Sequence, residues 1–253
     1  MVHISYDTTE PAVSRRLRGR DLVPAQNRAL EALAAAGIPT ALEAMVAKGV
    51  NDGHMGAVLD RALATPVVRS LFFKACTFHE PSLDALDLAG FLEEQTGGRI
   101  TVGSVVLFQR SLYALANLLG SNRCFYNLFL PLLRGNGPSG YLTPHELVDL
   151  EGLAVAARGW RPGRLGTARF LAAVLPSVRP RGLGAMVTAA RAMAGRSVSA
   201  ALNADPSLLV VGFLRECTLS TVDLDAARGC AGAKLAPDGR LVVPVYRTRL
   251  PAN

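Results

Sequence analysis

Apolar and polar positions alternate over residues 2–7 in strand fashion, and Thr8-Thr9-Glu10-Pro11 then supplies turn and helix-start signals. Residues 22–36 switch to a helical period, with Leu30, Leu33 and Ala34 on one face and Gly37 placed as the C-cap. The stretch from Gly37 to Asp52 therefore reads as helix end, strand over 39–47, and a polar loop. Asn51-Asp52 caps the next helix, which runs through Ala64 with Val58, Leu59, Ala62 and Leu63 on one face. A second apolar strand is predicted at 67–74, a loop at 77–82, and a helix over 83–96 that Gly97-Gly98 stops. Strands separated by helices of this length imply parallel βαβ units. A series already inside a strand at Val2 reads as the later part of a larger α/β barrel.

The rhythm changes from about Gly103. Residues 105–119 and 125–133 are compact apolar segments, and Thr143-Pro144-His145-Glu146 is a helix start with proline at its first helical position. An arginine-rich portion reads as two or three helices separated by 160–166 and 177–184. Strands at 207–213 and 240–246 flank a helix and a Pro237-Asp238-Gly239 turn. The predicted fold class is α/β: a partial (βα) barrel of parallel strands over residues 1–103, then a mainly helical extension with a small α+β finish over 104–253.

Composition narrows the class of protein. Half of the 253 residues are apolar, enough for a sizeable core. Mean hydropathy is +0.26. The apolar patches are nonetheless broken by Gln109, Arg110 and Asn127, so none reaches the ~20 residues of a spanning helix. His3, Asp7 and Glu10 near the start do not fit a signal peptide, and a soluble cytoplasmic protein is expected. No acidic residue lies between Glu151 and Asp205, a segment that holds Arg158, Arg161, Arg164, Arg169, Arg179, Arg181, Arg191 and Arg196. That segment reads first as a solvated helical surface and second as a face for an acidic partner. With Trp160 and Phe170 its only stacking platforms, the nucleic-acid signal is weak.

Candidate chemistry is sparse. Cys76, Cys124, Cys217 and Cys230 are too far apart for a short metal-ligand spacing. His54 and His145 fall at helix starts. His79 would share a loop with Cys76 and Glu80, where a solvated loop is the plainer reading than a metal or proton-transfer cluster. Neither Gly97-Gly98 nor Gly135-Asn136-Gly137-Pro138 opens a helix after a strand as a phosphate loop does. No catalytic or metal-ligating residue is assigned.

Three patches stand out in the first part of the chain: Ser5-Tyr6-Asp7 with Arg18-Gly19-Arg20-Asp21-Leu22, Lys48-Gly49-Val50-Asn51-Asp52, and Glu93-Glu94-Gln95-Thr96-Gly97-Gly98. Further patches are Cys124-Phe125-Tyr126, Val148-Asp149-Leu150-Glu151-Gly152, Asp223-Leu224-Asp225, Arg228-Gly229-Cys230 and Pro237-Asp238-Gly239-Arg240. In this order they resemble the radical S-adenosylmethionine (SAM) superfamily, in the branch of tetraether-lipid synthases and pterin methyltransferase-like proteins. The resemblance implies SAM and a [4Fe–4S] cluster as cofactors, yet the chain carries no Cys-x3-Cys-x2-Cys loop to hold three irons. Where the family carries further cysteines, the chain has Val106-Leu107-Phe108-Gln109-Arg110-Ser111, Gly229-Cys230-Ala231-Gly232 and Val245-Tyr246.

What the resemblance leaves is part of a SAM-binding wall: Ser5, Asp7, Arg18, Asn51 and Asp52 at the barrel mouth, with Arg18 able to pair a carboxylate bidentately. For Asp7 and Asn51, loop capping is the competing reading. The expectation is a truncated, split or degenerate radical SAM-like protein, not catalytic as a lone chain. A second chain would complete its barrel, or the chain would associate with itself. The split form predicts an exposed strand edge near residues 2–6. The alternative is a non-catalytic interaction protein that binds an acidic partner through its arginine-rich helices.

Overall fold

The computed structural model describes residues 1–76, 83–118, 127–135, 140–158, 175–180 and 205–215, together with 172, 184, 234–235 and 241–242. The chain begins with β1 (Val2–Ser5), α1 (Pro11–Arg18), α2 (Val23–Ala35), β2 (Thr40–Val46), α3 (Met55–Leu63), β3 (Val68–Ala75) and α4 (Ala85–Gln95). Then come α5 (Val102–Leu118), β4 (Asn127–Arg134), β5 (Tyr141–Leu142), α6 (Pro144–Leu147), α7 (Leu150–Arg158) and β6 (Leu208–Leu214). A separate pair, β7 (Lys234–Leu235) and β8 (Leu241–Val242), runs antiparallel.

Local chemistry sets the boundaries. After α2, Gly37 takes φ 65°, and Ile38 N–H reaches back to Leu33 O at 3.0 Å, the six-to-one bond of a Schellman end. Gly98 closes α4 in the same manner, its N–H donating to Glu93 O at 2.9 Å. The start of α4 is fixed by a capping box in which Asp84 receives the N–H groups of Leu86 and Asp87. Thr143 and Glu146 form a second box at the start of α6.

Six strands form one open sheet in the order β1-β2-β3-β6-β4-β5. β1, β2, β3 and β6 run parallel, whereas β4 is antiparallel to both β6 and β5. The α/β class thus stands. The sheet is not closed, and its parallel run stops at β6, where β4 pairs in the opposite sense. β6 lies between β3 and β4, so the sheet draws on both of the segments that the sequence divides at residue 103. The apolar segment at 105–119 falls in helix α5 as far as Leu118, and that at 125–133 gives strand β4 from Asn127 onward. The turn at 237–239 and most of the arginine-rich portion lie outside the described residues.

Strand alternation separates the two sheet faces. On one face Tyr6, Leu42, Val46, Leu71, Phe73 and Val211 are buried. They share a single core with Leu30 of α2, Leu59 of α3, Leu92 of α4 and Val105 of α5. Burying each such side chain contributes about 1.5–3 kcal/mol. Four helices therefore cover the same side of the sheet. The other side carries His3, Glu43, Phe72, Lys74 and Phe129, none of them fully buried. There Gly212 fits beneath two rings: a Cβ at that position would meet Phe72 Cδ1 at 2.7 Å and Phe129 at 3.2 Å.

Arg134, at the end of β4, fastens the opposite end of the sheet. Its guanidinium donates to Leu63 O at 3.1 Å, Ala62 O at 3.0 Å and Val68 O at 2.6 Å. It also reaches Pro206 O at 2.8 Å and Leu208 O at 3.0 Å. One side chain thus satisfies the carbonyls that end α3 and start β3 and β6. Burial, with the charge of Arg69 adding to it, pushes the Arg134 guanidinium down to about 10, still protonated at neutral pH.

Candidate functional site

The C-terminal ends of β1, β2 and β3 are where a parallel α/β sheet places ligands, because the strand ends and their loops converge there. Tyr6 N–H makes the last ladder bond of β1, to Glu43 O at 2.8 Å, and Asp7 follows it. The Asp7 side chain is 3% exposed. Its Oδ2 accepts from Arg18 Nε at 2.7 Å, and its Oδ1 from Arg18 Nη2 and the Met45 N–H, both at 2.9 Å. Arg18 occupies the last turn of α1, which Gly19 ends at φ 73°. The hydrogen bond from Arg18 to Asp7 holds the guanidinium above its ordinary pKa against the opposing effect of burial. The charge of Asp7 acts in the same direction.

Asn51 is 1% exposed and joins the two loops. Its Oδ1 accepts from Ala47 N–H at 2.8 Å, while Nδ2 donates to Asp7 O at 3.0 Å and Met45 O at 2.8 Å. Every polar atom of this side chain is engaged by backbone. The structure thus brings Asp7, Arg18 and Asn51 together as a clamp between the ends of β1 and β2. Ser5 and Asp52 stand apart from it. Ser5 is exposed on the β1 edge, where its carbonyl accepts from Gln26 Nε2 at 2.7 Å. Asp52 closes its own turn through Gly49 N–H at 2.9 Å and Gly53 N–H at 3.1 Å. Cys76 follows β3, half-buried and in no disulfide, its N–H donating to Val46 O at 2.8 Å. Its expected loop companions His79 and Glu80 lie outside the described residues, as do Cys124, Cys217 and Cys230.

A second polar group escaped the sequence reading. On the sheet face away from the helices, Glu43 Oε1 accepts from His3 Nδ1 at 2.8 Å and Oε2 from Lys74 Nζ at 2.7 Å. His3 also stacks on Phe72, their centroids 6.4 Å apart. Burial raises the Glu43 carboxyl, but the bonds from Lys74 and His3 outweigh it and hold the group below the ordinary range. Single charges in the middle of apolar strands were the available signal, because period-two alternation puts both on the face opposite Leu42 and Phe73. At the same end of the sheet, Asn127 Oδ1 and Arg215 Nε are buried without a hydrogen-bond partner among the described residues.

A groove of about 460 Å³ lies elsewhere, between α3, α4 and β5, lined by Gly56, Asp60, Gln95, Arg99 and Tyr141 among others. Arg99 stands 4.7 Å above the Tyr141 ring and donates to Tyr141 O at 3.1 Å, so its charge is turned toward the protein. Among the described residues no three His, Cys, Asp or Glu side chains are grouped to hold a metal ion, and no helix is long and apolar enough to cross a membrane. No protein-family model matches the sequence, and no curated protein matches it.

Proposed function

We propose that the chain is a cytoplasmic radical SAM-related unit, a partial (βα) barrel that is not catalytic alone and offers the free edge of β1 to another strand. The observation that carries this reading is the placement of α2, α3, α4 and α5 on one side of a parallel β1-β2-β3 run. In (βα) barrels helices form the outer ring and the opposite sheet face lines the interior. Here that opposite face bears the His3–Glu43–Lys74 row.

The residues present do not fit the family's cofactors. A [4Fe–4S] cluster that binds SAM needs three closely spaced thiolates, which this sequence lacks. In the SAM wall that the resemblance implies, both Asp7 oxygens and all polar atoms of Asn51 are already committed to the loop clamp. Ser5 faces outward at the sheet edge, and Asp52 serves its own turn. These side chains hold the mouth of the sheet in shape, and a role in completing another chain's fold accounts for them better than a ligand does.

Anaerobic reconstitution with iron and sulfide, followed by SAM titration, tests the reading. The expected result is no stoichiometric cluster, no SAM cleavage and no SAM binding by the lone chain. A SAM-responsive cluster formed by this chain alone would overturn it.

A further inference from the structure

We infer that the strand completing the β1 edge is β1 of a second copy of this chain, antiparallel and centred on His3. This rests on the reading of β1 as an edge that takes another strand, and it names the occupant. Val2 N–H donates to Pro39 O at 3.0 Å and Tyr6 N–H to Glu43 O at 2.8 Å. The alternation of a parallel strand therefore turns the N–H and C=O of His3 and Ser5 away from β2. Gln26 Nε2 seals the outward carbonyl of Ser5 at 2.7 Å. His3 N–H, His3 C=O and Ser5 N–H remain open among the described residues.

That pattern selects among pairings. An antiparallel strand in which His3 faces Ser5 of the second copy needs both Ser5 carbonyls, and an added parallel strand needs one. Gln26 stands in the way of each. With His3 facing His3 of the second copy, the two residues exchange both of their hydrogen bonds and Ser5 N–H meets the Met1 carbonyl across the axis.

The apolar side chains agree with this register. Met1, Val2 and Ile38 are 53%, 40% and 38% exposed, three of the six exposed large hydrophobics among the described residues, and they lie where β1 begins beside the entry to β2. The His3-centred register sets Val2 opposite Ile4 of the second copy on the helix-covered side, extending the core across the axis. A slip of one residue in either direction would set Val2 against His3 or Ser5 of the second copy instead. Because β1 is only four residues long, the dimer is weak, with a Kd on the order of micromolar or higher.

Sedimentation velocity over a concentration series, with hydrogen exchange at the His3 and Ser5 amides, tests the proposal on the full chain. A concentration-dependent dimer that protects both amides is expected. His3→Pro removes the outward N–H while leaving the β1–β2 bonds in place, and should weaken the dimer at least about tenfold; His3→Ala should not. Should His3→Pro fail to fold by circular dichroism, Val2→Lys gives the same reading by placing an ammonium against Ile4 of the second copy. A chain that is monomeric at every concentration, or a dimer that neither variant weakens, overturns the proposal. A β1 edge protected only in a complex with a different protein also overturns it while leaving the edge reading intact. Cluster formation by the lone chain would instead sink the functional reading, whatever the oligomeric state.

Discussion

The carboxylate that Arg18 grips is the protein's own: Asp7 lies in its fork, with Nε to Oδ2 at 2.7 Å and Nη2 to Oδ1 at 2.9 Å. Asp7 is buried and Arg18 is 36% exposed, so the pair is a buried acid closed by a rim cation. Arg18→Ala leaves the acid with the Met45 N–H as its remaining donor, and should cost about 2–3 kcal/mol in urea unfolding. The Asp7→Asn/Arg18→Ala double variant should cost less than the sum of the two single changes. Strict additivity would mean that the pair contributes nothing as a pair.

Asn51 separates a loop clamp from a ligand contact. Asn51→Ala strips three hydrogen bonds from buried backbone groups and should lower stability by about 2–4 kcal/mol. Asn51→Asp should be at least as harmful, since it turns a carboxylate oxygen toward the carbonyls of Asp7 and Met45. Thermal melts of both variants check this. A melting temperature equal to that of the parent chain would remove the clamp.

Arg134 offers a geometric test at the other end of the sheet. Arg134→Ala removes the guanidinium donor from the carbonyls of Ala62, Leu63, Val68, Pro206 and Leu208, and should cost about 3–5 kcal/mol. Arg134→Lys keeps the charge but cannot span carbonyls on several sides, so it should recover less than half of that loss. Equal stability of the lysine variant and the parent would show that charge alone suffices.

Gly212 is held by proximity. Gly212→Ala forces a methyl against Phe72 and Phe129 and should destabilise by about 1–3 kcal/mol. Adding Phe129→Leu should return part of the loss by opening space on one side. If the second change only adds its own penalty, the two rings do not limit the site.

Acid stability should report Glu43. Its carboxyl is depressed in the folded chain, so its contribution is present above the ordinary glutamate value of 4.5 and disappears as pH falls through the lower folded value. Glu43→Gln should therefore flatten stability against pH below about 4.5 and lower it at neutral pH. Glu146 is depressed too: burial raises it, but its bonds with Thr143 and the charge of Arg99 prevail. Part of the acid limb should consequently survive in Glu43→Gln. An unchanged limb would show that the row across β1, β2 and β3 has no energetic weight.

Much of the first part of the fold was legible because its signals are local. Gly37 ends α2 through a left-handed conformation that glycine adopts without strain, and the strand over 40–46 follows at once. The capping boxes at Asp84 and Thr143 need only side chains a few residues apart. The sequence pattern marks Asn51 as a helix cap, but its side chain caps no helix and bridges two loops instead, which was not legible because its partner Asp7 is 44 residues away in sequence. Arg134 gave no signal at all: the carbonyls it serves are brought together only when β4 and β6 extend the sheet beyond β3.

The sequence by itself determined the βα alternation, the apolar face of each element and the absence of a three-cysteine site, because periodicity, caps and cysteine spacing are properties of neighbours along the chain. Tertiary structure alone decided that β6 enters between β3 and β4, that the sheet stays open, and that Asp7 and Asn51 answer one another and the backbone. Those outcomes depend on which edges and carbonyls meet at long range. That meeting is set by packing the whole core against one face of the sheet, which no local pattern encodes.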